Sequence, residues 1–192
     1  MSERSDSSPD PAAAPDGWLV VIDAQQIFAS PATSPWGSPM FGGVVDRIGD
    51  LCAAYGHRVV FTRFVADPGL GGSWGSYYDD WPFALVPDED PLYAVVPQLA
   101  AAASRAAAGG RVVTAPTFGK WGADLRAVVG DQPRLTLAGV ATDCCVIATA
   151  LPAADAGATI TVVADACAGS TPAHHAQALG AMALFGPQVT IA

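Results

Sequence analysis

The sequence predicts an α/β protein in which a parallel sheet has helices on both faces. Six short apolar runs, rich in β-branched residues and bounded by Gly, Pro and Asp, have the character of buried parallel strands. Helix-like segments separate most of these runs, and such alternation is typical of parallel sheets. The chain has 192 residues, of which 51% are hydrophobic, enough for one domain with a sizeable core.

The apolar runs define six predicted strands, several of which end at a polar residue. The first, Trp18-Leu-Val-Val-Ile22, is followed by Asp23, and the fifth is followed by Asp165. Because the carboxyl ends of parallel strands meet at one edge of a sheet, these residues are candidates for a site. In chain order the predicted strands span residues 18–22, 58–62, 111–115, 134–138, 159–164 and 188–191.

Helices are predicted in the segments that precede the second to sixth strands. Ser170 or Thr171 can cap the last of them, and Pro172 suits its first turn. The connection over residues 64–91 is long, rich in Gly and aromatic, so we expect a lid or a pocket wall there. The predicted helices span residues 44–54, 92–108, 123–129, 143–156 and 171–185.

Composition limits the class of protein and its partners. Residues 1–16 are rich in Ser, Pro and Asp, which predicts a disordered tail before a domain over residues 17–192, without a signal peptide. The net charge of −9 makes nucleic acid and anionic membranes poor partners, and no apolar run reaches the ~20 residues of a membrane span. Four cysteines, two of them adjacent, do not suggest a disulfide scaffold, so we expect a cytoplasmic, reduced protein.

A carboxylate, an ammonium and a thiol converge on the predicted ligand-binding edge. Asp23 follows the first strand, Lys120, the single lysine, comes shortly after the third, and Cys144 and Cys145 follow the fourth. An Asp after a strand often only caps a turn, and a Cys in an Ala-rich helix is more often a core residue. Their convergence on one edge favours a catalytic site.

The two adjacent cysteines lie where a helix is expected to begin. Thr142 or Asp143 can cap that helix, which places both thiols in its first turn. The helix dipole there favours a thiolate, and free N–H groups can hold an oxyanion. Because successive residues are roughly 100° apart around a helix, only one of the two thiols can face the site.

A cysteine nucleophile needs a base, and Asp23 is better placed for this role than any histidine. His57 precedes the second strand, at the wrong end of the sheet, while His174 and His175 lie within the last helix. Lys120 would keep Asp23 ionised, a task that suits the compact ammonium of lysine better than a guanidinium.

Three segments together resemble the isochorismatase-like cysteine hydrolase superfamily. They are Val21-Ile-Asp-Ala-Gln25, Gly139-Val-Ala-Thr-Asp-Cys-Cys-Val-Ile-Ala-Thr-Ala150 and Val162-Val-Ala-Asp-Ala-Cys167, to which Lys120 is added. The similarity runs from about Trp18 to the end of the chain. It implies a three-layer α/β/α sandwich with a six-stranded, mostly parallel, Rossmann-like sheet.

The resemblance also implies roles for individual residues. It gives a catalytic triad of Asp23, Lys120 and Cys145, with Cys145 rather than Cys144 as the nucleophile. It further implies a cis peptide bond between Val140 and Ala141, and an oxyanion hole formed by the N–H groups of Ala141 and Cys145. A non-proline cis bond is rare, which suggests a functional role.

Members of the superfamily differ in metal use and in the bond that they cleave. Nicotinamidases carry an Asp-x-His metal cluster after the second strand, whereas this chain reads Thr62-Arg-Phe-Val-Ala-Asp67 there, so we expect no metal and no cofactor. Isochorismatases cleave a vinyl ether and typically lack the cysteine. The presence of Cys145 therefore favours hydrolysis of a C–N bond in an amide, carbamoyl or lactam group through an acyl-thioester.

The expected substrate is a small molecule, acted on by a homo-oligomer. Asp79, Asp80, Asp88, Glu89 and Asp90 lie in the long connection, and their charge favours a neutral or cationic substrate unless they form only a solvated face. Three alternatives stay open: a vinyl-ether hydrolase, a redox protein built on the paired cysteines, and a non-catalytic ligand-binding member. The candidate substrate contacts are Phe28, Trp74, Tyr77, Trp81 and Trp121.

Overall fold

The computed structural model describes residues 15–192. Residues 1–14, which make up most of the predicted tail, lie outside the described residues. The last two residues of that predicted tail contact the domain: the carbonyl of Pro15 accepts a hydrogen bond from Arg58, and Asp16 pairs with Arg134 at 3.3 Å.

The predicted parallel sheet is present, and all six predicted strands belong to it. Every pair of neighbouring strands is parallel, and the spatial order is β3-β2-β1-β4-β5-β6. The order reverses between β1 and β4, and open α/β sheets bind ligands at such a reversal. The strands are β1 (Trp18–Ile22), β2 (Val59–Phe64), β3 (Val112–Ala115), β4 (Arg134–Val140), β5 (Thr159–Ala168) and β6 (Val189–Ile191).

Helices cover both faces of this sheet, as expected for three layers. Helices α2 and α4 contribute to the apolar cluster on one face, and α5, α6 and α7 to the cluster on the other. Along β1, Leu19 and Val21 point to the first cluster, while Val20 and Ile22 point to the second. The helices are α1 (Gln26–Ala29), α2 (Val45–Tyr55), α3 (Ser73–Asp80), α4 (Ala100–Ala108), α5 (Ala123–Val129), α6 (Ile147–Asp155) and α7 (Pro172–Ala183).

The start of α7 agrees with the sequence. The side chain of Thr171 caps it by accepting a hydrogen bond from the His174 N–H at 3.1 Å, and Pro172 lies in the first turn. Among residues 15–192, no helix has both the length and the apolar character that crossing a membrane requires.

Two predictions about helices are wrong, each for a local reason. The helix predicted over residues 92–108 begins only at Ala100, because Pro91 and Pro97 instead start separate 3₁₀ turns. The long connection contains helix α3 in spite of its Gly and Ser residues. Trp74, Tyr77 and Tyr78 recur at helical spacing, and their packing against the core and one another outweighs the poor helix propensity of the segment.

Strands β1 and β4 approach each other closely at Gly139. Its φ is +121°, and a Cβ atom built there would lie 2.1 Å from the carbonyl oxygen of Ile22. The obstructing atom belongs to the backbone of the fully buried Ile22, so it cannot move aside as a side chain could. Only glycine fits this position, directly before the peptide bond that leads into the site.

Replacing Gly139 with alanine should therefore lower the free energy of unfolding by about 3 kcal/mol or more, through backbone strain and overpacking. The matched control is Gly180→Ala in helix α7, where the added methyl meets no atom within 4 Å. That change should stabilise the protein by about 0.5–1 kcal/mol, because glycine disfavours a helix interior. Urea unfolding measures both values, and equal effects of the two substitutions would contradict the close approach.

Candidate active site

The structure brings two of the three proposed catalytic side chains into direct contact. Asp23 follows β1, and Lys120 lies on the connection between β3 and α5. The Oδ2 atom of Asp23 is 3.1 Å from the Nζ atom of Lys120, and both side chains are completely buried. The pair lies at the edge of the sheet where the parallel strands end, as the sequence predicted.

Thr62, at the middle of β2, holds the carboxylate of Asp23 from the other side. Its hydroxyl donates to Oδ1 of Asp23 at 2.6 Å and accepts the N–H of the same residue at 3.1 Å. Asp23 has a φ of +45°, which is uncommon for a residue other than glycine. Among the described residues, the partner of the other oxygen, Oδ2, is the ammonium of Lys120 in the ion pair.

The ammonium of Lys120 has backbone and aromatic partners as well as Asp23. It donates to the carbonyls of Thr117 at 2.6 Å and Ala115 at 3.4 Å, and lies 5.3 Å from the ring centre of Phe64. A buried charge needs such partners to offset its lost hydration. These contacts fix the position of the lysine side chain next to Asp23.

Gln25, two residues after Asp23, fastens the end of β2 to the site. Its amide nitrogen donates to the carbonyls of Phe64 and Tyr93, and its amide oxygen accepts the Phe64 N–H at 2.8 Å. Our sequence analysis gave no role to Gln25 or to Thr62. The sequence did contain a signal for Gln25, which is the last residue of the Val21–Gln25 segment at the end of a predicted buried strand. A buried amide must find hydrogen-bond partners, so it is expected to hold neighbouring segments.

Cys144 and Cys145 lie in a π-helical turn over Thr142–Val146 that precedes α6. The N–H groups of Cys144 and Val146 both donate to the carbonyl of Ala141 at 3.0 Å. The peptide bond between Val140 and Ala141 is cis, as the resemblance implies.

The expected helix cap by Thr142 or Asp143 is wrong, because both side chains bind elsewhere. The Oγ1 atom of Thr142 lies 2.8 Å from Nδ1 of His175, and Asp143 accepts hydrogen bonds from the N–H and hydroxyl of Ser170. The turn that carries the cysteines is thus tied to the start of α7 instead of being capped by its own side chains.

Thr149 connects two segments of the site. One is the turn over Thr142–Val146, here called the cysteine turn, and the other is the connection between β3 and α5 that carries Lys120, here called the lysine loop. The Thr149 hydroxyl accepts the backbone N–H of Lys120 at 2.9 Å and donates to the carbonyl of Cys145 at 2.7 Å. The side chain is fully buried one helical turn after Cys145, so no water competes for either bond. This single hydroxyl sets the spacing between the two segments.

The two thiols differ in their tendency to ionise. The pKa of Cys145 is raised well above its usual value by a hydrogen bond with Cys144, by burial and by the charge of Asp23, against an opposing effect of Lys120. The same hydrogen bond lowers the pKa of Cys144, although burial opposes it. Burial and these neighbours oppose ionisation of the Cys145 thiol, against the helix dipole that was expected to favour a thiolate at this turn.

A cavity of about 380 Å³ opens onto the cysteine turn. Of the predicted substrate contacts, Phe28 and Tyr77 lie on its wall, whereas Trp74, Trp81 and Trp121 are not among its lining residues. The other aromatic side chains of the wall are Trp36, Phe64 and Phe118, which were not predicted as contacts. The lining comprises Phe28, Pro35, Trp36, Gly37, Phe64, Tyr77, Phe118, Ala141, Asp143, Cys144, Cys145 and Ser170.

The three tryptophans that were predicted as substrate contacts but do not line the cavity either pack behind its wall or lie on the other face of the sheet. Trp74 packs behind Tyr77, with ring centres 5.2 Å apart, and Trp81 packs against Trp36 at 6.0 Å. Trp121 joins the apolar cluster on the other face of the sheet. Trp36 lies between Pro35 and Gly37, so no strand or helix period in the sequence pointed to it.

The acidic residues of the long connection do not line the cavity. Asp88 pairs with Arg63 at 2.6 Å, and Asp90 accepts the Leu92 N–H at 2.8 Å, while Asp79 and Asp80 are exposed. These positions fit the alternative in which the acidic residues form a solvated face of the long connection. The lining residues include one carboxylate, that of Asp143, and no Lys, Arg or His.

The residues that follow β2 do not form a metal-ligand set. Val65 and Ala66 carry no ligand atom in their side chains, and the carboxylate of Asp67 accepts the Gly69 N–H at 2.8 Å. Within residues 15–192, no three His, Cys, Asp or Glu side chains are grouped so that they could hold a metal ion. Metal independence stays a prediction.

Solved structures share this fold along almost the whole chain. A cysteine hydrolase from Pseudomonas syringae pv. phaseolicola 1448A is 20% identical, with a TM-score of 0.73, over 91% of this chain and 87% of that one. A nicotinamidase from Bacillus subtilis is 23% identical, with a TM-score of 0.72, over 91% and 97%. A pyrazinamidase of Pyrococcus horikoshii, in complex with zinc, is 21% identical, with a TM-score of 0.67, over 93% and 99%.

The family assignment rests on the sequence itself. A comparison with curated proteins finds no match. The model of the Isochorismatase domain, in contrast, matches residues 17–192, which include Asp23, Lys120 and the cysteine turn. The chain therefore belongs to the isochorismatase family.

Proposed function

We propose that this protein is a cysteine-dependent hydrolase that cleaves the C–N bond of a small amide, carbamoyl compound or lactam. The observation that carries the proposal is the buried Asp23–Lys120 pair, in which the carboxylate of Asp23 can accept a proton. Cys145 lines the adjoining cavity, and the pKa of its thiol is raised by burial and by the charge of Asp23 against the opposing charge of Lys120. A protonated nucleophile next to a buried carboxylate is an arrangement suited to general-base activation.

In the proposed reaction Asp23 acts first as a general base and then as a general acid. The sulphur of Cys145 attacks the substrate carbonyl while Oδ2 of Asp23 takes the thiol proton. The same proton then passes to the leaving nitrogen, the C–N bond breaks, and an acyl-thioester remains on Cys145. Water, deprotonated by Asp23, attacks the thioester, and the thiol recovers its proton as the acid leaves. Lys120 stabilises the ionised form of Asp23 between these transfers.

Backbone N–H groups are the proposed stabilisers of the tetrahedral oxyanion. The carbonyl of Ala141 already accepts from Cys144 and Val146, which uses both of its lone pairs. We assign the oxyanion to the N–H groups of Ala141 and Cys145, of which the second lies between the two residues that donate to the Ala141 carbonyl. Each such donor contributes substantially when it is fixed before the reaction begins.

The wall of the cavity favours a flat substrate without negative charge. Phe28, Trp36 and Tyr77 present aromatic surface, and the one carboxylate of the lining, Asp143, would repel an anion. No Lys, Arg or His in the lining is available to pair with a carboxylate or phosphate of a substrate. These features support a neutral or cationic amide rather than a dicarboxylate.

Replacing Asp23 with Asn, Lys120 with Ala or Cys145 with Ala should each lower kcat by about 10³-fold or more, and double variants should lose little further, because the residues act as a unit. The matched control is Cys144→Ala, which should stay within about tenfold of the wild type. Release of ammonia or amine from a panel of amides, carbamoyl compounds and lactams measures turnover. An active Cys145→Ala variant would overturn the assignment of the nucleophile.

Removal of divalent metal should leave kcat unchanged, because the segment after β2 supplies no ligand set and the proposed proton transfers use only side chains. The measurement compares turnover before and after exhaustive chelation, with elemental analysis of the purified protein. Loss of activity on chelation that returns with added zinc or iron would contradict this prediction.

Among amides of matched size, neutral and cationic substrates should have a kcat/KM at least about tenfold higher than anionic ones at low salt, and the gap should narrow at high salt. Asp143→Asn should also reduce the difference in kcat/KM between these substrates, whereas Asp79→Asn on the exposed face of the long connection should not. A preference for the anionic substrate would instead favour a vinyl-ether hydrolase acting on acids.

A further inference from the structure

We infer that an apolar trough beside the cavity is a subsite for an uncharged apolar arm of the substrate. The trough has a volume of about 540 Å³ and lies along the outward face of α6. The inference rests on the proposed function, since it names the substrate class of the same site: amides that carry such an arm. This α6 trough is lined by Phe118 of the lysine loop and by Cys144, Ile147, Ala148, Leu151 and Pro152.

The outward face of α6 lacks the polar side chains that usually meet solvent. Cys144, Ile147, Ala148 and Leu151 recur at the helical spacing of three or four residues and are each half-buried, while Pro152 is exposed. The opposite face of the same helix is buried in the apolar cluster on the sheet. A helix that is apolar on both faces is normally covered on both, so the outward face requires an apolar occupant.

The trough is continuous with the cavity of the candidate active site. Phe118, Asp143 and Cys144 line both of them, and Cys144 is next in sequence to the proposed nucleophile, Cys145. A substrate whose carbonyl reaches Cys145 can therefore extend past Cys144 directly onto α6. This continuity favours part of the substrate itself as the occupant of the trough.

The side of the trough opposite α6 is formed before any substrate binds. Gly119 brings the lysine loop close to the helix, because a Cβ atom built there would lie 2.6 Å from the carbonyl oxygen of Ala148. The ring of Phe118, the preceding residue, packs against Trp74 and Tyr77 with ring centres 4.9 and 5.5 Å apart. These contacts hold Phe118 as a wall that the cavity and the trough share.

The length and charge of the trough define the arm that fits it. From Cys144 to Pro152 the helical chain rises about 12 Å, which matches an extended chain of about eight carbons. The lining includes one carboxylate, that of Asp143, which accepts hydrogen bonds from Ser170, and no Lys, Arg or His. An uncharged alkyl or aryl arm therefore suits the trough, and an anionic arm does not.

A series of N-alkyl iodoacetamides, from methyl to octyl, tests the subsite without any turnover. These reagents alkylate the thiols of the cysteine turn while their alkyl group probes the trough, and fragment mass spectrometry locates the label. The rate constant, divided by that of the same reagent with free cysteine, should rise about twofold per methylene, half the effect of complete burial. A rate constant that does not depend on chain length overturns the inference.

Leu151→Asp should remove most of this rise, because the new carboxylate must stay hydrated, and should leave the rate with the methyl reagent within about twofold of the wild type. The matched control is Leu184→Asp, at a leucine that is 84% exposed and lies outside the trough lining, and it should keep the full rise. If Leu151→Asp is unfolded by circular dichroism, Ala148→Phe, which fills the trough, replaces it with the same loss expected. A folded trough variant that keeps the full rise overturns the inference.

A second copy of this chain is the competing occupant of the trough, and sedimentation velocity distinguishes the two. A wild-type oligomer that Leu151→Asp converts to a monomer, together with alkylation that does not depend on chain length, would make the trough a subunit contact and overturn the inference.

Failure of this inference is distinguishable from failure of the proposed function, because alkylation requires no hydrolysis. A chain-length dependence that Leu151→Asp removes supports the subsite even if no N-alkyl amide is hydrolysed, and that second result counts against the proposed hydrolase alone. Hydrolysis of amides at rates independent of chain length, with alkylation also independent of it, overturns the subsite and leaves the hydrolase standing.

Discussion

The buried ion pair between Asp23 and Lys120 is the interaction on which the rest of the site depends. Removing two charges from water costs several kcal/mol per ion, and their attraction alone does not always offset this. The protein supplies the remaining stabilisation through the hydroxyl of Thr62, the carbonyls of Thr117 and Ala115 and the face of Phe64. The partners of this ion pair thus come from β1, β2 and β3 and from the lysine loop, and the need to surround the pair fixes these segments relative to one another.

The same need explains how the nucleophile is kept in register with its base. The backbone of Lys120 and the carbonyl of Cys145 share the hydroxyl of Thr149, while Asp143 and Thr142 are tied to the start of α7. A displacement of the cysteine turn would therefore break hydrogen bonds in the lysine loop and in α7 together. Buried polar networks of this kind specify one arrangement, because each unsatisfied group is costly in a medium of low polarity.

The sheet decides where this network can form. Strands β1 and β4 are neighbours at the point where the strand order reverses. The helices that follow them, α2 and α6, pack on opposite faces of the sheet, which opens a crevice at the carboxyl ends of the two strands. Gly139 allows the two strands to approach closely just before the cis peptide bond. Trp36 packs against Tyr77 and Phe83 of the long connection, and Trp36 and Tyr77 form part of the cavity wall at this crevice.

The sequence by itself determined the six strands, the capped start of α7 and the identity of Asp23, Lys120 and the cysteine pair. These features follow from local patterns: apolar period, cap residues, and polar side chains at strand ends. Only the tertiary structure decided which aromatic residues form the cavity wall, that Thr62 and Gln25 hold the site, and that burial and its neighbours raise the pKa of the Cys145 thiol. Such properties depend on burial and on partners that are distant in the chain, such as Thr62 and Asp23, and no local pattern encodes them.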